Sequence, residues 1–324
     1  IPRESIPCGR PSAATCTPPW GVNVRPEQII IGAGSEYLWL LLSQILGMNH
    51  KIAMENPTYK QAYRVFNGMG YPVVPVEMDR YGMDVAQLEK SGADVAYVMP
   101  AHQYPTGIVM PVRRRQELLA WACGGESRYL IEDDYDSEFR YKGKPIPALQ
   151  GMDTAGRVIY IGTFSEIHRS CHPRWFPGVA ARYGGGLPAA GGSLRLHGVA
   201  DRPEYSVPGL SRKGHYERHL NRMRAVYKGK HDALLAGLRE LEDRFEIRGE
   251  YAGLHVLLTH RGGLDEEELV RRAADQGVKV YGMSGCFIHP EHGCCPSTVL
   301  LGYASLTEAD IRLGTGLLRE AWGA

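Results

Sequence analysis

Long apolar runs are missing from this sequence. No apolar segment of its 324 residues approaches the roughly 20 that a membrane helix needs, and the N-terminal residues lack the charged-then-apolar pattern of a secretion signal. An excess of one charge is missing too, because 37 lysines and arginines stand against 36 aspartates and glutamates. No global field therefore points to nucleic acid or membrane, and we expect a cytoplasmic protein with a small-molecule ligand.

A disulfide framework is also missing. The chain has seven cysteines, an odd number, and two of them (Cys294 and Cys295) are adjacent. In a chain of this length such a set indicates reduced thiols. What is present is a composition typical of globular proteins, with 44% hydrophobic and 23% charged residues.

The order of apolar patterns predicts an α/β protein. From Gly21 to about Ile161, short apolar runs alternate with helical patterns, which indicates a mainly parallel sheet with crossover helices. After about Arg212, a long amphipathic helix precedes further strands and helices, as in a smaller α+β unit. We predict a large α/β domain over residues 1–210 and a small C-terminal α+β domain over residues 211–324. Residues 171–210 show neither a helical nor a strand period.

Three segments of the first block could carry chemistry. Gly32 to Glu36 joins a strand to a helix, where backbone N–H groups would suit a phosphate or simply form a turn. Glu132 to Asp136 follows a buried strand, and its acids could bind a divalent metal, form a solvated edge or hold a pyridinium nitrogen protonated. Ala101 to Gly107 follows another strand, but Pro-Thr-Gly is also a turn by itself. Each segment alone leaves its alternatives open.

Taken in order, these segments resemble one family. They resemble the aminotransferase-like domain of MocR/GabR-type regulators of the GntR family, a fold-type I domain that depends on pyridoxal phosphate. The motifs that carry the resemblance are VRPEQIIIGAGSEYL, ENPTY, PAHQYPTG, IEDDYDSEFRY and YIGTFS. The resemblance covers Gly21 to about Ser165 and again Arg212 to the C-terminus. It implies an aspartate-aminotransferase-like fold, a homodimer, an amino-acid or amine ligand, and DNA binding only through a winged-helix domain outside this sequence.

The resemblance also assigns roles to residues of the site. It implies that Asp133 pairs with the pyridine nitrogen, that Tyr135 bonds to the phenolic oxygen of the cofactor, and that Tyr59 stacks on its ring. It implies no metal. It also implies phosphate contacts from five further residues: Ala33, Gly34, Ser35, Thr163 and Ser165.

The chain departs from the family at Glu166, where the cofactor-binding lysine should follow Gly-Thr-Phe-Ser. A carboxylate can neither form an imine nor carry the substrate α-proton as an amine does. We therefore expect the chain as written to be inactive. We expect transamination of an amino acid in the intact parent, by which we mean the protein with the family's lysine in place. The alternative is a domain that senses pyridoxal phosphate and an effector in a GntR/MocR-type transcriptional regulator.

The departure extends beyond one residue. In one permitted back-translation, a reading frame shifted by one base after Ser165 recovers the lysine, proline and arginine that the family has there. A similar shift near Cys8 recovers an amphipathic helix before Gly21. We hypothesise that compensating insertions and deletions, in the gene or in its sequence record, scrambled residues 8–20 and 166–210. The hypothesis predicts no regular packing over most of residues 171–207, and we expect the chain to be a fragment.

Three other features carry weaker expectations. Leu300 stands where many aminotransferases of this fold place an arginine for the substrate carboxylate. The basic stretch from Arg212 to Lys230 fits an ordinary amphipathic helix better than a nucleic-acid surface. Metal-ligand residue types also cluster near the C-terminus, but their spacing matches no standard zinc pattern and favours a plain loop: Cys286, His289, His292, Cys294 and Cys295.

Overall fold

The computed structural model describes residues 21–24, 28, 30–142, 147–163, 178–181, 215–289 and 297–323. The strands of its larger sheet are β1 (Ile30–Ala33), β2 (Ile52–Asn56), β3 (Val73–Asp79), β4 (Gly82–Met83), β5 (Val95–Val98), β6 (Tyr129–Asp134), β7 (Val158–Thr163) and β8 (Gly178–Ala181). They lie side by side in the order β1-β8-β7-β6-β5-β2-β3-β4. Pairing is parallel from β7 through β6, β5 and β2 to β3, whereas β4 pairs antiparallel with β3, and β8 pairs antiparallel with both β7 and β1. The predicted mainly parallel sheet is therefore confirmed.

Helices cover both faces of this sheet. They are α1 (Ser35–Leu46), α2 (Lys60–Gly68), α3 (Val85–Lys90) and α4 (Val112–Cys123). Because side chains alternate along a strand, Ile52 and Met54 of β2 join the core under α1 and α2, while Ala53 joins the core under α3 and α4. The central strands are apolar on both faces for this reason, which is why they appear in the sequence as continuous apolar runs.

A second, smaller sheet follows in the chain. Its antiparallel order is β11-β12-β10-β9, formed by β9 (Phe245–Arg248), β10 (His255–His260), β11 (Tyr281–Gly282) and β12 (Thr298–Gly302). Helices α5 (His215–Leu238), α6 (Glu266–Asp275) and α7 (Glu308–Gly323) pack with it around a core that includes the buried Trp322. The predicted α+β character of the C-terminal part is confirmed. The boundary at residue 210 lies outside the described residues and stays a prediction.

Some element bounds differ from the sequence-based expectation. The apolar run before Gly32 predicts a strand over residues 28–31, but β1 ends at Ala33, because that residue still pairs with Gly178 of β8. The helical pattern after Arg212 predicts a helix over residues 215–243, but α5 ends at Leu238, where a 3-10 turn begins. The apolar pattern at residues 278–281 predicts a strand, of which the structure forms Tyr281–Gly282. These errors fall at the ends of elements, where tertiary pairing decides the last residues.

The two windows of the frameshift hypothesis are mostly outside the described residues. Within residues 166–210 the structure describes Gly178–Ala181, which forms β8 between β1 and β7. Residues 8–20 lie wholly outside. The hypothesis therefore stays a prediction. No helix among the described residues combines the length and the apolar character that spanning a bilayer requires.

Candidate cofactor site

The candidate site lies at the carboxyl ends of β5 and β6. Asp133, the fifth residue of β6, is buried and accepts a short hydrogen bond from the Tyr97 hydroxyl on the neighbouring strand. Burial raises the pKa of the Asp133 carboxyl to about 7, against the Tyr97 bond, which lowers it. In the described part of the chain no lysine or arginine forms an ion pair with it. Asp133 is thus a buried acid that a cation in this position would stabilise.

The acids beside Asp133 point elsewhere. Glu132 accepts hydrogen bonds from the backbone N–H groups of Leu149 and Gln150, at 2.7 and 2.8 Å. Asp134 accepts from the hydroxyls of Ser137 and Tyr160, also at 2.7 and 2.8 Å. Since strand side chains alternate, Glu132 and Asp134 share the face opposite to Asp133. The carboxylates of Glu132, Asp133 and Asp134 therefore do not converge on one metal ion.

The predicted phosphate contacts begin where β1 turns into α1. Ala33 ends β1, Ser35 opens α1, and Gly34 between them has φ +106°, a conformation that favours glycine. A Cβ at Gly34 would meet no atom of the described residues within 4 Å. The first backbone N–H groups of α1 have no partners within the helix. The local geometry suits an anion.

The opposite predicted contact comes from β7. Thr163, its last residue, pairs with Val179 of β8, and Gly32 of β1 pairs with the same residue from the other side. The carboxyl ends of β1 and β7 therefore lie at one edge of the sheet, about 10 Å apart across β8. Ser165 and Glu166 lie outside the described residues, as do the side chains of Ala33 and Thr163.

Tyr59 forms an aromatic wall beside the site. It precedes α2, and its ring centroid lies 6.0 Å from that of Trp39 and 5.6 Å from that of Tyr104. The ring is 38% exposed and lines a cleft of about 520 Å³. Leu300 lines the same cleft, together with Lys60 and Arg64. An apolar side chain, Leu300, therefore lines this cleft at the sequence position where the resemblance implies a carboxylate-binding arginine.

A buried cluster next to Tyr135 was not predicted. The Tyr135 hydroxyl is 3.0 Å from His102 Nδ1, which lies 2.9 Å from a carboxylate oxygen of Asp136. His255 of β10 packs on the His102 ring and donates through Nε2 to the Pro105 carbonyl at 2.9 Å. Burial, and secondarily His102, lower the pKa of His255 to about 4, so its imidazole is neutral at neutral pH. His102 and Asp136 stand inside the quoted motifs, but their meeting with residue 255 has no local signal.

The cysteine and histidine stretch is only partly described. Cys286 lines the cleft near Tyr104, and burial raises the pKa of its thiol to about 11. His292, Cys294 and Cys295 lie outside the described residues, so the preference for a plain loop stays a prediction.

Sequence comparison identifies relatives. The family model for aminotransferase class I and II matches residues 18–166, and so ends at the position that lacks the lysine. The chain is 40% identical over 306 residues to the uncharacterized HTH-type transcriptional regulator YhdI of Bacillus subtilis, covering 93% of this chain and 64% of that protein. It is 31% identical over 314 residues to the probable rhizopine catabolism regulatory protein MocR of Rhizobium meliloti, covering 93% and 61%. The chain thus spans less than two thirds of these regulators.

Solved structures give the same fold. The α-aminoadipate aminotransferase LysN of Thermus thermophilus, complexed with N-(5'-phosphopyridoxyl)-L-leucine, matches with a TM-score of 0.74 at 26% identity, covering 93% of this chain and 78% of that one. A kynurenine aminotransferase of Pyrococcus horikoshii matches with a TM-score of 0.73 at 25% identity, covering 94% and 76%. The chain therefore belongs to the fold-type I aminotransferase superfamily, as an aminotransferase-like domain similar to those of MocR-type regulators.

Proposed function

We propose that this chain binds pyridoxal phosphate through its ring and phosphate, without a covalent bond. The observation that carries the proposal is Asp133, a buried carboxyl whose pKa is raised to about 7 and which, among the described residues, accepts its hydrogen bond from the Tyr97 hydroxyl. A protonated pyridine nitrogen is the cation that would stabilise this carboxylate. The glycine at the start of α1, with its unpaired helix N–H groups, supports the phosphate end.

The aldehyde end of the cofactor does not fit. Glu166 occupies the position of the family's lysine, so this chain offers a carboxylate where an amine is needed. We therefore propose reversible binding and no useful turnover for the chain as written. In the intact parent with a lysine at this position, the proposed activity is transamination of an amino acid.

Each residue of the site has a defined task in this proposal. Asp133 holds a proton on the ring nitrogen, and Tyr135 donates to the phenolic oxygen. Tyr59 covers one face of the ring and keeps water away from it. When bound, pyridoxal phosphate supplies a ring that withdraws electrons from a substrate carbon. The proposed phosphate contacts come from the start of α1, from the last residue of β7 and from Ser165 beyond it in the sequence: Ala33, Gly34, Ser35, Thr163 and Ser165.

A second function, ligand sensing, is favoured by the regulators among the relatives. YhdI is named as an HTH-type transcriptional regulator, and MocR as a regulatory protein. In such a protein the same site would bind the cofactor and an amino-acid-like effector and move a DNA-binding domain without turnover. We also propose the homodimer and the cytoplasmic location that the resemblance implies. Transamination by the intact parent would favour the enzyme, whereas effector binding without product would favour the sensor.

The proposal is tested with 4'-deoxypyridoxine 5'-phosphate, which has the ring, phenol and phosphate of the cofactor but no aldehyde. Isothermal titration calorimetry should detect binding of this analogue to the unmutated chain, because the ring and phosphate contacts do not need a lysine. Asp133→Asn should weaken it about tenfold or more by removing a charge-assisted hydrogen bond. Asp134→Asn is the matched control, since this neighbouring acid faces Ser137 and Tyr160. Absent binding, or equal losses in both variants, would refute the proposal.

A further inference from the structure

Two buried side chains behind Tyr135 have no task in the proposed function. His102 and Asp136 are each only 1% exposed in their side chains. His102 Nδ1 lies 2.9 and 3.1 Å from the two carboxylate oxygens of Asp136, and 3.0 Å from the Tyr135 hydroxyl oxygen. One imidazole nitrogen therefore serves both the carboxylate and the phenol.

The hydrogen on this nitrogen can be located by elimination. Carboxylate oxygens accept hydrogen bonds, and both Asp136 oxygens lie at similar distances from Nδ1, which assigns the hydrogen to Nδ1. His102 Nε2 is buried and has no hydrogen-bond partner among the described residues. A hydrogen on Nε2 would be an unsatisfied buried donor, so the Nδ1–H tautomer is favoured.

This tautomer fixes the direction of the Tyr135 hydroxyl. Because the Nδ1–H group also faces the phenol oxygen, that oxygen accepts from His102 and its own hydrogen must point away from the imidazole. In a chain of this kind each hydrogen bond polarises the next, so the phenol becomes a stronger donor. The pair both aims and strengthens the hydrogen that Tyr135 can offer.

The later part of the chain seals the pair from water. A Cβ at Gly253 would lie 2.0 Å from Cε1 of His102 and 2.5 Å from a carboxylate oxygen of Asp136, so only glycine fits against them. The His255 ring lies 5.3 Å from the His102 ring and is anchored by its bond to the Pro105 carbonyl. Exclusion of water strengthens hydrogen bonds between polar groups that are fully paired.

We propose that His102 and Asp136 are positioning residues for Tyr135, directing its hydroxyl hydrogen at the anionic phenolic oxygen of the ligand. The ligand half of this inference rests on the proposed binding of pyridoxal phosphate. The hydrogen-bond half concerns the chain alone. The two halves are tested separately.

The hydrogen-bond half is tested without ligand. Nitrogen-15 NMR of the histidine-labelled protein distinguishes the two tautomers of each ring, and the signal lost in His102→Asn identifies residue 102. We expect the Nδ1–H tautomer. An Nε2–H tautomer would overturn the assignment. His102, His255 and Asp136 have ligand atoms within 4.8 Å of one another, so this cluster could instead bind a metal ion. Stoichiometric Zn²⁺ in the purified unmutated chain, lost in His255→Ala, would therefore also overturn the assignment.

The ligand half is tested by calorimetry with 4'-deoxypyridoxine 5'-phosphate. His102→Leu should weaken binding about tenfold, the value of one hydrogen bond. His102→Asn, whose amide can place an N–H near the position of Nδ1, should keep most of the affinity. In a Tyr135→Phe background, His102→Leu should cause no further loss, because its effect passes through the Tyr135 hydroxyl.

Equal losses from His102→Leu in the two backgrounds would show a merely structural role and overturn the inference. Failure of the unmutated chain to bind the analogue would instead refute the proposed function, and the ligand half with it. The tautomer result would still decide the hydrogen-bond half, so the two failures are distinguishable.

Discussion

Glu55 gives the most quantitative prediction about this fold. It lies on β2 with no exposed surface, and one of its carboxylate oxygens has no partner among the described residues. Burial raises its pKa from 4.5 to about 7, although bonds from Met99, Gln103 and Met83 lower it. At about 1.4 kcal/mol per pKa unit, keeping this group ionised in the fold costs roughly 3 kcal/mol. Glu55→Gln removes the ionisation and should remove that cost.

The sign follows from proton linkage. A carboxyl with a raised pKa holds its proton more tightly in the folded state, so its contribution to stability is present below pH 4.5 and is lost as the pH rises to about 7. The difference in the free energy of unfolding between Glu55→Gln and the unmutated chain should therefore rise, in favour of the variant, by about 3 kcal/mol from about pH 4 to about pH 8.

Urea unfolding followed by circular dichroism measures this gain. The free energy of unfolding of each variant is compared with that of the unmutated chain at both pH values, so that contributions from all other titrating groups cancel. Glu320→Gln, at an exposed position of α7, is the control and should give no pH-dependent difference. If the stabilities of Glu55→Gln and the unmutated chain run parallel across this pH range, the argument from burial is refuted.

Two further predictions concern local geometry. Asp84 caps α3 by accepting from the N–H groups of Ala86 and Gln87, so Asp84→Ala should lower the free energy of unfolding by about 1 kcal/mol in urea titrations; an unchanged midpoint would contradict the cap. Gly253→Ala should cost at least about 2 kcal/mol more than Gly263→Ala, because both glycines have φ +78° but a Cβ meets buried atoms only at Gly253. Equal thermal shifts would refute the clash.

Much of the fold could be predicted because its signals are local. The apolar runs of β2 and β5 and the helical pattern of α4 are continuous in sequence, so their order predicts the parallel sheet. The end of β1 could not be predicted, since Ala33 is held by pairing with Gly178, a residue far along the chain. Backbone pairing needs little from the side chains, which explains how a short Gly-Val-Ala-Ala segment can form β8 inside a window without clear periodicity.

The site divides in the same way. Asp133 and Tyr135 follow a buried strand, so their place at the sheet edge could be predicted from sequence. Their partners could not, because Tyr97 comes from the neighbouring strand and His102, the partner of Tyr135, follows that same strand and is itself packed against His255 of the second sheet. The acidic run left three alternatives open in the sequence. Strand alternation turns Glu132 and Asp134 away from Asp133, and the pairing of Asp133 with a pyridinium nitrogen stays a proposal.

In the proposed function, cofactor binding and cofactor chemistry separate along this chain. The groups proposed for the ring and the helix start proposed for the phosphate precede Thr163, within the residues that the aminotransferase family model matches. The lysine position, Glu166, is where that match ends. An isolated loss of the lysine would leave all phosphate contacts in place, whereas a scrambled window would also remove the arginine that, by the resemblance, follows the lysine and contacts the phosphate. The affinity for an aldehyde-free analogue, compared with that of a lysine-bearing relative, therefore distinguishes a substituted residue from an interrupted segment.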